Sequence, residues 1–264
     1  MSPGGRTYQT EAIVLKAMRL GEADRLLTML TPSLGKVRAV ARGALKPKSK
    51  LAGHVEPFTR AALMVRYGHT LDVVAQAQAQ ESYQGIRSDL AKTSLAFYMV
   101  ELADRFAAEG QESYPLYSLL VEALTWLEQT ADVGLARPAF ELQVLRLSGY
   151  ALQLSRCQKC REETAGDAWL SLDAGGVLCS RCRGQDPGTR PLSAGARAAM
   201  RYLQNDAFLR GVKVKLSAGM VREIEAVAEG YTTHVLEQAL KSTAFMEQVR
   251  RDGPLPASGG RREG

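Results

Sequence analysis

Aromatic residues make up only 6% of this 264-residue chain, histidines number 3, and all 4 cysteines fall between residues 157 and 182. Each scarcity excludes something. No apolar run approaches the roughly 18 residues that a membrane-spanning helix needs, so no membrane partner is expected. The N-terminal stretch MSPGGRTYQTEAIVLK lacks an apolar signal-peptide core, and the expected compartment is the cytoplasm. No G-x-x-x-x-G-K-[ST] loop occurs, so nucleotide hydrolysis of that type is not expected and no nucleotide is assigned. His54, His69 and His234 are scattered, with no Ser or Cys nucleophile arranged around them. Glu22 with Asp24, and Glu162 with Glu163, read as a surface turn and a loop rather than as acid–base pairs, and no catalytic residue is assigned. Within the first 80 residues the aromatics are Tyr8, Phe58 and Tyr67 alone. Base-stacking platforms use several such rings. Phe58 and Tyr67 are expected in the core, and any nucleic-acid binding there should be electrostatic and indifferent to sequence.

What remains is ordinary for a folded protein: 45% apolar and 23% charged residues. The length suggests two or three structural units. The net charge of +6 is unevenly spread. Residues 1–80 carry 12 Lys or Arg against 5 acids, whereas residues 81–150 carry 5 against 10. A basic front end joined to an acidic middle suggests a polyanion-binding domain attached to something with another task.

The first 80 residues read as short strands at Gln9–Lys16, Leu26–Leu30, Lys36–Ala41, Thr59–Tyr67 and Leu71–Gln80, the last two forming a hairpin about Gly68-His69-Thr70. Their number and size fit a five-stranded Greek-key barrel of the OB type. From Ser88 the period becomes helical, with Leu95, Met99, Leu102 and Phe106 in step until Gly110. Tyr114-Pro115 opens a helix striped with Leu116, Leu119, Leu120, Ala123, Leu124 and Leu127, and Pro138 stands near the start of a third. Ser193 caps a short helix over Ala196–Gln204, and Ser217 starts a longer one carrying Val221, Ile224, Ala228, Tyr231, Val235 and Leu240. The expected fold class is α+β and multidomain. A barrel over 1–80 precedes an all-α helical domain over 81–250, which holds a four-cysteine insert at 151–186, and a disordered tail follows at 251–264.

Cys157-Gln-Lys-Cys160 and Cys179-Ser-Arg-Cys182 are two CxxC knuckles with 18 residues between them. Each knuckle places two sulfurs on one tight turn, and two knuckles can close a tetrahedral site around one structural Zn2+ per chain. A disulfide pair is disfavoured by the expected compartment. A redox CxxC would need one reactive doublet at a helix start rather than two matched ones. A catalytic zinc would leave a coordination position open.

The stretch Arg42-Gly-Ala-Leu-Lys46-Pro-Lys48-Ser-Lys50 is the second informative feature. Pro and Ser prevent a continuous helix, which should keep the ammonium groups on an extended, solvated loop. With Lys36 and Arg38 on the alternating strand before it, these cations could form a stripe of phosphate contacts at Lys36, Arg38, Arg42, Lys46, Lys48 and Lys50. The plainer alternative is a loop kept polar for solubility.

The order of these parts resembles the RecO family of bacterial recombination mediators. The residues carrying the resemblance are T-E-A-I-V-L at 10–15, G-E-A-D-R at 21–25, G-K-V-R-A-V-A-R-G-A-L-K-P-K-S at 35–49 and L-x-x-S-R-C-x-x-C at 152–160. The resemblance implies an N-terminal OB barrel, a helical domain and a zinc ribbon inserted in it. It implies a non-enzymatic protein that binds single- and double-stranded DNA, anneals complementary strands, and with RecR loads RecA onto DNA covered by single-strand binding protein, whose acidic C-terminal tail would be a further partner. A cytoplasmic, nucleoid-associated location follows from it. A zinc-containing adaptor acting mainly through protein–protein contacts is the competing reading.

Overall fold

The computed structural model describes residues 6–205, 207, 208 and 212–252, with side chains as far as Glu237. The tail expected from 251 lies outside the described residues from Gly253 onward, while Arg251 and Asp252 close the last helix. Strands β1 (Thr7–Leu20), β2 (Asp24–Thr31), β3 (Gly35–Ala41), β4 (Arg60–Arg66) and β5 (Asp72–Glu81) form a closed barrel in the order β1-β2-β3-β5-β4. All neighbours are antiparallel except β3 and β5, which pair in parallel over Ala39–Asp72 and Val40–Val73. This is the OB-type arrangement expected from the strand count. The 14-residue β1 serves both halves: its first part pairs with β4, its second with β2, and the register shifts between Val14 and Lys16. Such a bulge turns the strand so that one segment can close two sides of a barrel.

Alternation along the strands feeds two different cores. Ala12, Val14, Leu27, Met29, Ala39, Leu63 and Val65 fill the barrel. Ile13, Leu15, Leu30 and Phe58 point the other way and join the core of the helical region. That region contains α1 (Gln84–Arg87), α2 (Leu90–Phe106), α3 (Tyr114–Gln129), α4 (Ala136–Leu147), α5 (Ala194–Asn205) and α6 (Ala218–Asp252). Asp89 caps α2 by accepting from the N–H groups of Ala91 and Lys92. Pro115 stands in the first turn of α3, whose expected apolar stripe is buried and includes Tyr117. Ser193 Oγ accepts from Ala196 N at 3.2 Å at the start of α5, as its sequence position suggested.

Between α4 and α5 lies the cysteine insert, built on β6 (Ala168–Ser171), β7 (Gly176–Leu178) and β8 (Arg190–Leu192) in the order β7-β6-β8. Its third strand lies past residue 186, so the sheet extends beyond the expected insert boundary. The insert is sutured to the helices. Leu170 and Val177 belong to the helical core, and Gln204 clamps Leu152 by giving to its carbonyl at 3.1 Å and taking from its N–H at 3.0 Å.

At the heart of the helices Glu141 is fully buried. Burial pushes its carboxyl pKa up, against the hydrogen bond from Tyr98 and the charge of Arg137. Arg137 Nη2 reaches on to Glu229 of α6 at 2.9 Å, and its guanidinium lies 5.1 Å from the ring centre of Tyr98 on α2, so three helices meet through it. This is a structural clamp.

The barrel docks on the helices at one rim. Lys36 N donates to Ala108 O at 3.1 Å, and Gly35 bridges to Glu109. Gly35 holds φ +62°, and a Cβ there would come within 1.9 Å of the Gln111 carbonyl oxygen. Gly35→Ala is expected to unseat this contact at a cost of about 2 kcal/mol, lowering the melting temperature by roughly 5 °C. An unchanged calorimetric transition would show that the dock does not depend on this approach.

Candidate nucleic-acid interface and metal centre

The barrel rim away from the helices gathers the end of β3, the start of β2, the start of β5 and the end of β4. The register shows this directly: Arg25 opposes Ala41, Ala39 opposes Asp72, and Val73 opposes Arg66. The basic loop leaves β3 at this rim. It is not the extended segment expected from its composition. Successive turns fold it, with Lys46 N donating to Gly43 O at 3.1 Å and Ser49 N to Lys46 O at 3.0 Å, and Gly43 supplies φ +66°. Gly43 and Pro47 prevent a helix but permit i to i+3 bonds, which compact the loop.

Two contacts hold it in place. Leu45 N donates to Ala23 O at 2.9 Å, and Gly43 N donates to Asp24 Oδ1 at 2.7 Å. Asp24 is thus a positioning residue that sequence reasoning left as a surface turn; its only signal was its place beside Arg25 in the G-E-A-D-R run. Arg42, Lys46, Lys48 and Lys50 are exposed on the loop and form no ion pair among the described residues.

The six cations expected to form one stripe separate into two groups. Lys36 is a correction: its Nζ sits 3.1 Å from Asp104 Oδ1 and 2.7 Å from the Asp104 carbonyl, with the side chain only 17% exposed. It neutralises an acid of α2 and is not available to phosphate. Arg38 is partly committed as well, at 3.3 Å from Glu109 while remaining exposed. Alternation placed both outward correctly, but here outward means toward the helical region. Among the described residues four of these cations form no ion pair, and two face acids of the helical region.

Phe58 is buried as expected, and Tyr67 is not. Tyr67 is 54% exposed and lies 4.8 Å ring to ring from Tyr8, whose hydroxyl donates to Asp72 at 2.7 Å. The histidines lie apart. His54 Nδ1 accepts from Ala79 N at 3.1 Å, His69 is exposed in its turn, and His234 pairs with Asp173 at 3.5 Å. No described helix is long and apolar enough to cross a membrane.

The four cysteines converge. One sulfur from each of Cys157, Cys160, Cys179 and Cys182 lies within 4.8 Å of the others. Tight turns build the knuckles. In the first, Arg161 takes φ +65° while its N–H donates to Cys157 O at 2.9 Å; in the second, the N–H groups of Cys182 and Arg183 both donate to Cys179 O at 3.0 Å. The Sγ atoms of Cys160 and Cys179 are 3.8 Å apart. A tetrahedral ion with bonds of about 2.3 Å requires sulfurs about 3.8 Å apart.

The electrostatics agree with a cation at the centre. Burial disfavours the Cys157 thiolate, yet backbone N–H donors from Cys160, Cys179 and Lys159 outweigh it and bring the pKa down to about 6. Cys182 is pushed up to about 12, first by its hydrogen bond to Cys179 and then by burial. Four sulfurs this close cannot all shed their protons unless a positive ion offsets the repulsion. The donor set therefore fits a thiophilic metal.

A model described as Recombination protein O N terminal matches residues 1–83, and one described as Recombination protein O C terminal matches residues 87–244. A protein named DNA repair protein RecO from Roseiflexus sp. (strain RS-1) is 38% identical over 93% of this chain and 87% of its own length. Another of that name, from Desulforudis audaxviator (strain MP104C), is 37% identical over 92% of this chain and 98% of its own. A third, from Moorella thermoacetica, is 32% identical over 93% of this chain and 92% of its own. Both halves match, in the same order and across nearly the whole length, and the chain belongs to the RecO family.

Proposed function

We propose that this protein is a non-enzymatic mediator of DNA repair and homologous recombination. It binds single- and double-stranded DNA without sequence preference, anneals complementary strands and, with RecR, helps to load RecA onto DNA coated by single-strand binding protein. The observation that carries this reading is the clamped loop bearing Arg42, Lys46, Lys48 and Lys50, exposed at the barrel rim away from the helices and in no ion pair among the described residues. Family membership supports the wider role.

Annealing requires no catalytic residue. Two strands repel through their phosphates, and a dense patch of cations screens that repulsion while base pairing supplies the driving force. Such binding releases counterions, so affinity should fall linearly on a logarithmic salt scale with a slope near −0.7 per single-strand contact. RecR and the acidic C-terminal tail of single-strand binding protein are assigned to the helical region, which would leave the loop rim for DNA. The cysteine centre holds one Zn2+ in a structural role, supported by the all-thiolate donors and the sulfur spacing. A cytoplasmic, nucleoid-associated location goes with this role.

The test is a salt titration of oligonucleotide binding run beside an annealing assay with complementary strands. The expected result is acceleration of annealing, with affinity that declines steeply with salt. Binding that ignores salt, or no acceleration at concentrations that saturate the DNA, would leave the adaptor reading standing instead.

A further inference from the structure

The four sulfurs of the cysteine centre are not covered alike. Cys157 and Cys182 are buried and cluster with Leu178, whereas Cys160 is exposed and Cys179 partly so. The centre is therefore walled on one side and open on the other, and Cys160 and Cys179 form the open side. Support on the walled side comes from the backbone, where Cys179 N donates to Cys157 Sγ at 3.4 Å. On the open side it comes from a side chain, Arg181, which stands inside the second knuckle between Cys179 and Cys182.

The Arg181 guanidinium pairs with the Glu162 carboxylate, two residues past Cys160. Glu162 belongs to the turn that shapes the first knuckle, since its carbonyl accepts from Cys157 N at 2.9 Å. The pair thus crosses from one knuckle to the other. The guanidinium is held above its usual pKa range first by the charge of Glu162, then by a hydrogen bond to the Cys179 sulfur and by the charges of Cys179 and Cys160. The sulfurs that act on it are the two on the open side. Neighbouring arginines are engaged elsewhere: Arg161 donates to Gln158 Oε1 at 2.9 Å, Arg156 faces Glu163 at 3.7 Å, and Arg183 lies over the Trp169 ring at 4.5 Å. Of these four arginines, Arg181 alone is turned to sulfur.

Four thiolates around a divalent cation leave two negative charges in excess. Groups that contact the ligands, without themselves binding the metal, change metal affinity 10- to 100-fold. An exposed ion pair adds little to fold stability, so the consequence of this one falls on the sulfurs it touches. We propose that Arg181 is a positioning residue of the metal centre: steered by Glu162, it offsets the thiolate charge of Cys160 and Cys179 and guards the side from which the metal is lost. The proposal rests on the zinc reading above and adds to it the residue outside the four sulfurs that governs retention of the ion.

The test loads the full chain with one equivalent of Zn2+ and follows its transfer to excess 4-(2-pyridylazo)resorcinol across a salt series. Arg181→Gln is expected to release zinc about tenfold faster than the parent at low salt, and the gap should narrow as salt screens the exposed charge. Arg181→Lys keeps the charge and should stay close to the parent. Glu162→Gln leaves the guanidinium unsteered and should fall between the parent and Arg181→Gln. The melting temperatures of all three loaded variants should match the parent's, which separates this role from a structural one. With Co2+ in place of Zn2+, the thiolate-to-metal charge-transfer band should shift in Arg181→Gln and not in Arg181→Lys. Equal release from Arg181→Gln and a parent that holds one zinc would overturn the proposal and leave the zinc reading intact. Faster release from Arg181→Lys, equal to that from Arg181→Gln, would also overturn it, because shape rather than charge would then matter. A parent chain that takes up no stoichiometric zinc would remove the zinc reading and the proposal with it.

Discussion

Reversing Lys46, Lys48 and Lys50 to Glu is expected to lower affinity for DNA by on the order of a hundredfold or more at low salt, and to flatten the salt dependence by roughly two to three contacts' worth of slope. The three ammonium groups are exposed and form no ion pair among the described residues, so fold stability should change by no more than about 0.5 kcal/mol. Lys36→Met is the counterpart. Its ammonium group is held between two oxygens of Asp104, and losing it leaves a partly buried carboxylate facing an apolar side chain. Stability should drop by about 1 to 3 kcal/mol while the salt slope stays as it was. Binding isotherms at four or five salt concentrations, with a thermal melt of each variant, separate the two groups of cations. The same slope in the triple variant as in the parent would remove the loop from the interface.

Loss of the proposed zinc is the second large effect. Cys157→Ser removes the most deeply buried sulfur of the set, which accepts from Cys179 N at 3.4 Å. Structural zinc contributes on the order of 10 kcal/mol to small modules that have little other core, and the knuckles here have little: Cys157, Leu178 and Cys182 form a cluster of their own. The variant should bind no stoichiometric zinc, and amide hydrogen exchange over residues 155–183 should become fast. Damage should stop at the suture, because Leu170 and Val177 are anchored in the helical core. Barrel amides should stay protected, and DNA affinity should stay within about twofold, well under the 1.4 kcal/mol that a tenfold change represents. Protons compete with the metal for the same four sulfurs, so zinc occupancy should fall as pH falls. A variant that retains one zinc per chain would discard the four-sulfur assignment.

Much of this was legible in the sequence because local signals and the final fold agreed. The five barrel strands lie close to the expected segments, since turn residues such as Thr31-Pro32-Ser33 and Gly68-His69-Thr70 punctuate them. The α3 stripe and both CxxC turns were visible because each depends on near neighbours only. What could not be read depended on residues far apart. The outward placement of Lys36 was correct, but its partner Asp104 lies 68 positions away on a helix. Tyr67 follows Ala61, Leu63 and Val65 in the inward phase of β4, yet it lies just past Arg66, the last residue of the strand, and so emerges at the rim beside Tyr8. The exposure of Met18 was hidden for a related reason. In β1 and β2 apolar residues stand on both faces, so alternation could not say which of Met18, Leu26 or their neighbours would stay uncovered.

β1 and β2 are a party wall. Val14, Leu27 and Met29 furnish one room, while Ile13, Leu15 and Leu30 furnish the other. The two family models divide the chain near residue 85, and the covalent boundary invites a cut there, but the hydrophobic boundary runs lengthwise through these strands. Severing the chain after Glu81 would strip Ile13, Leu15, Leu30 and Phe58 of their cover and leave the freed barrel with a greasy flank. Two models describe the sequence, but one wall serves both interiors.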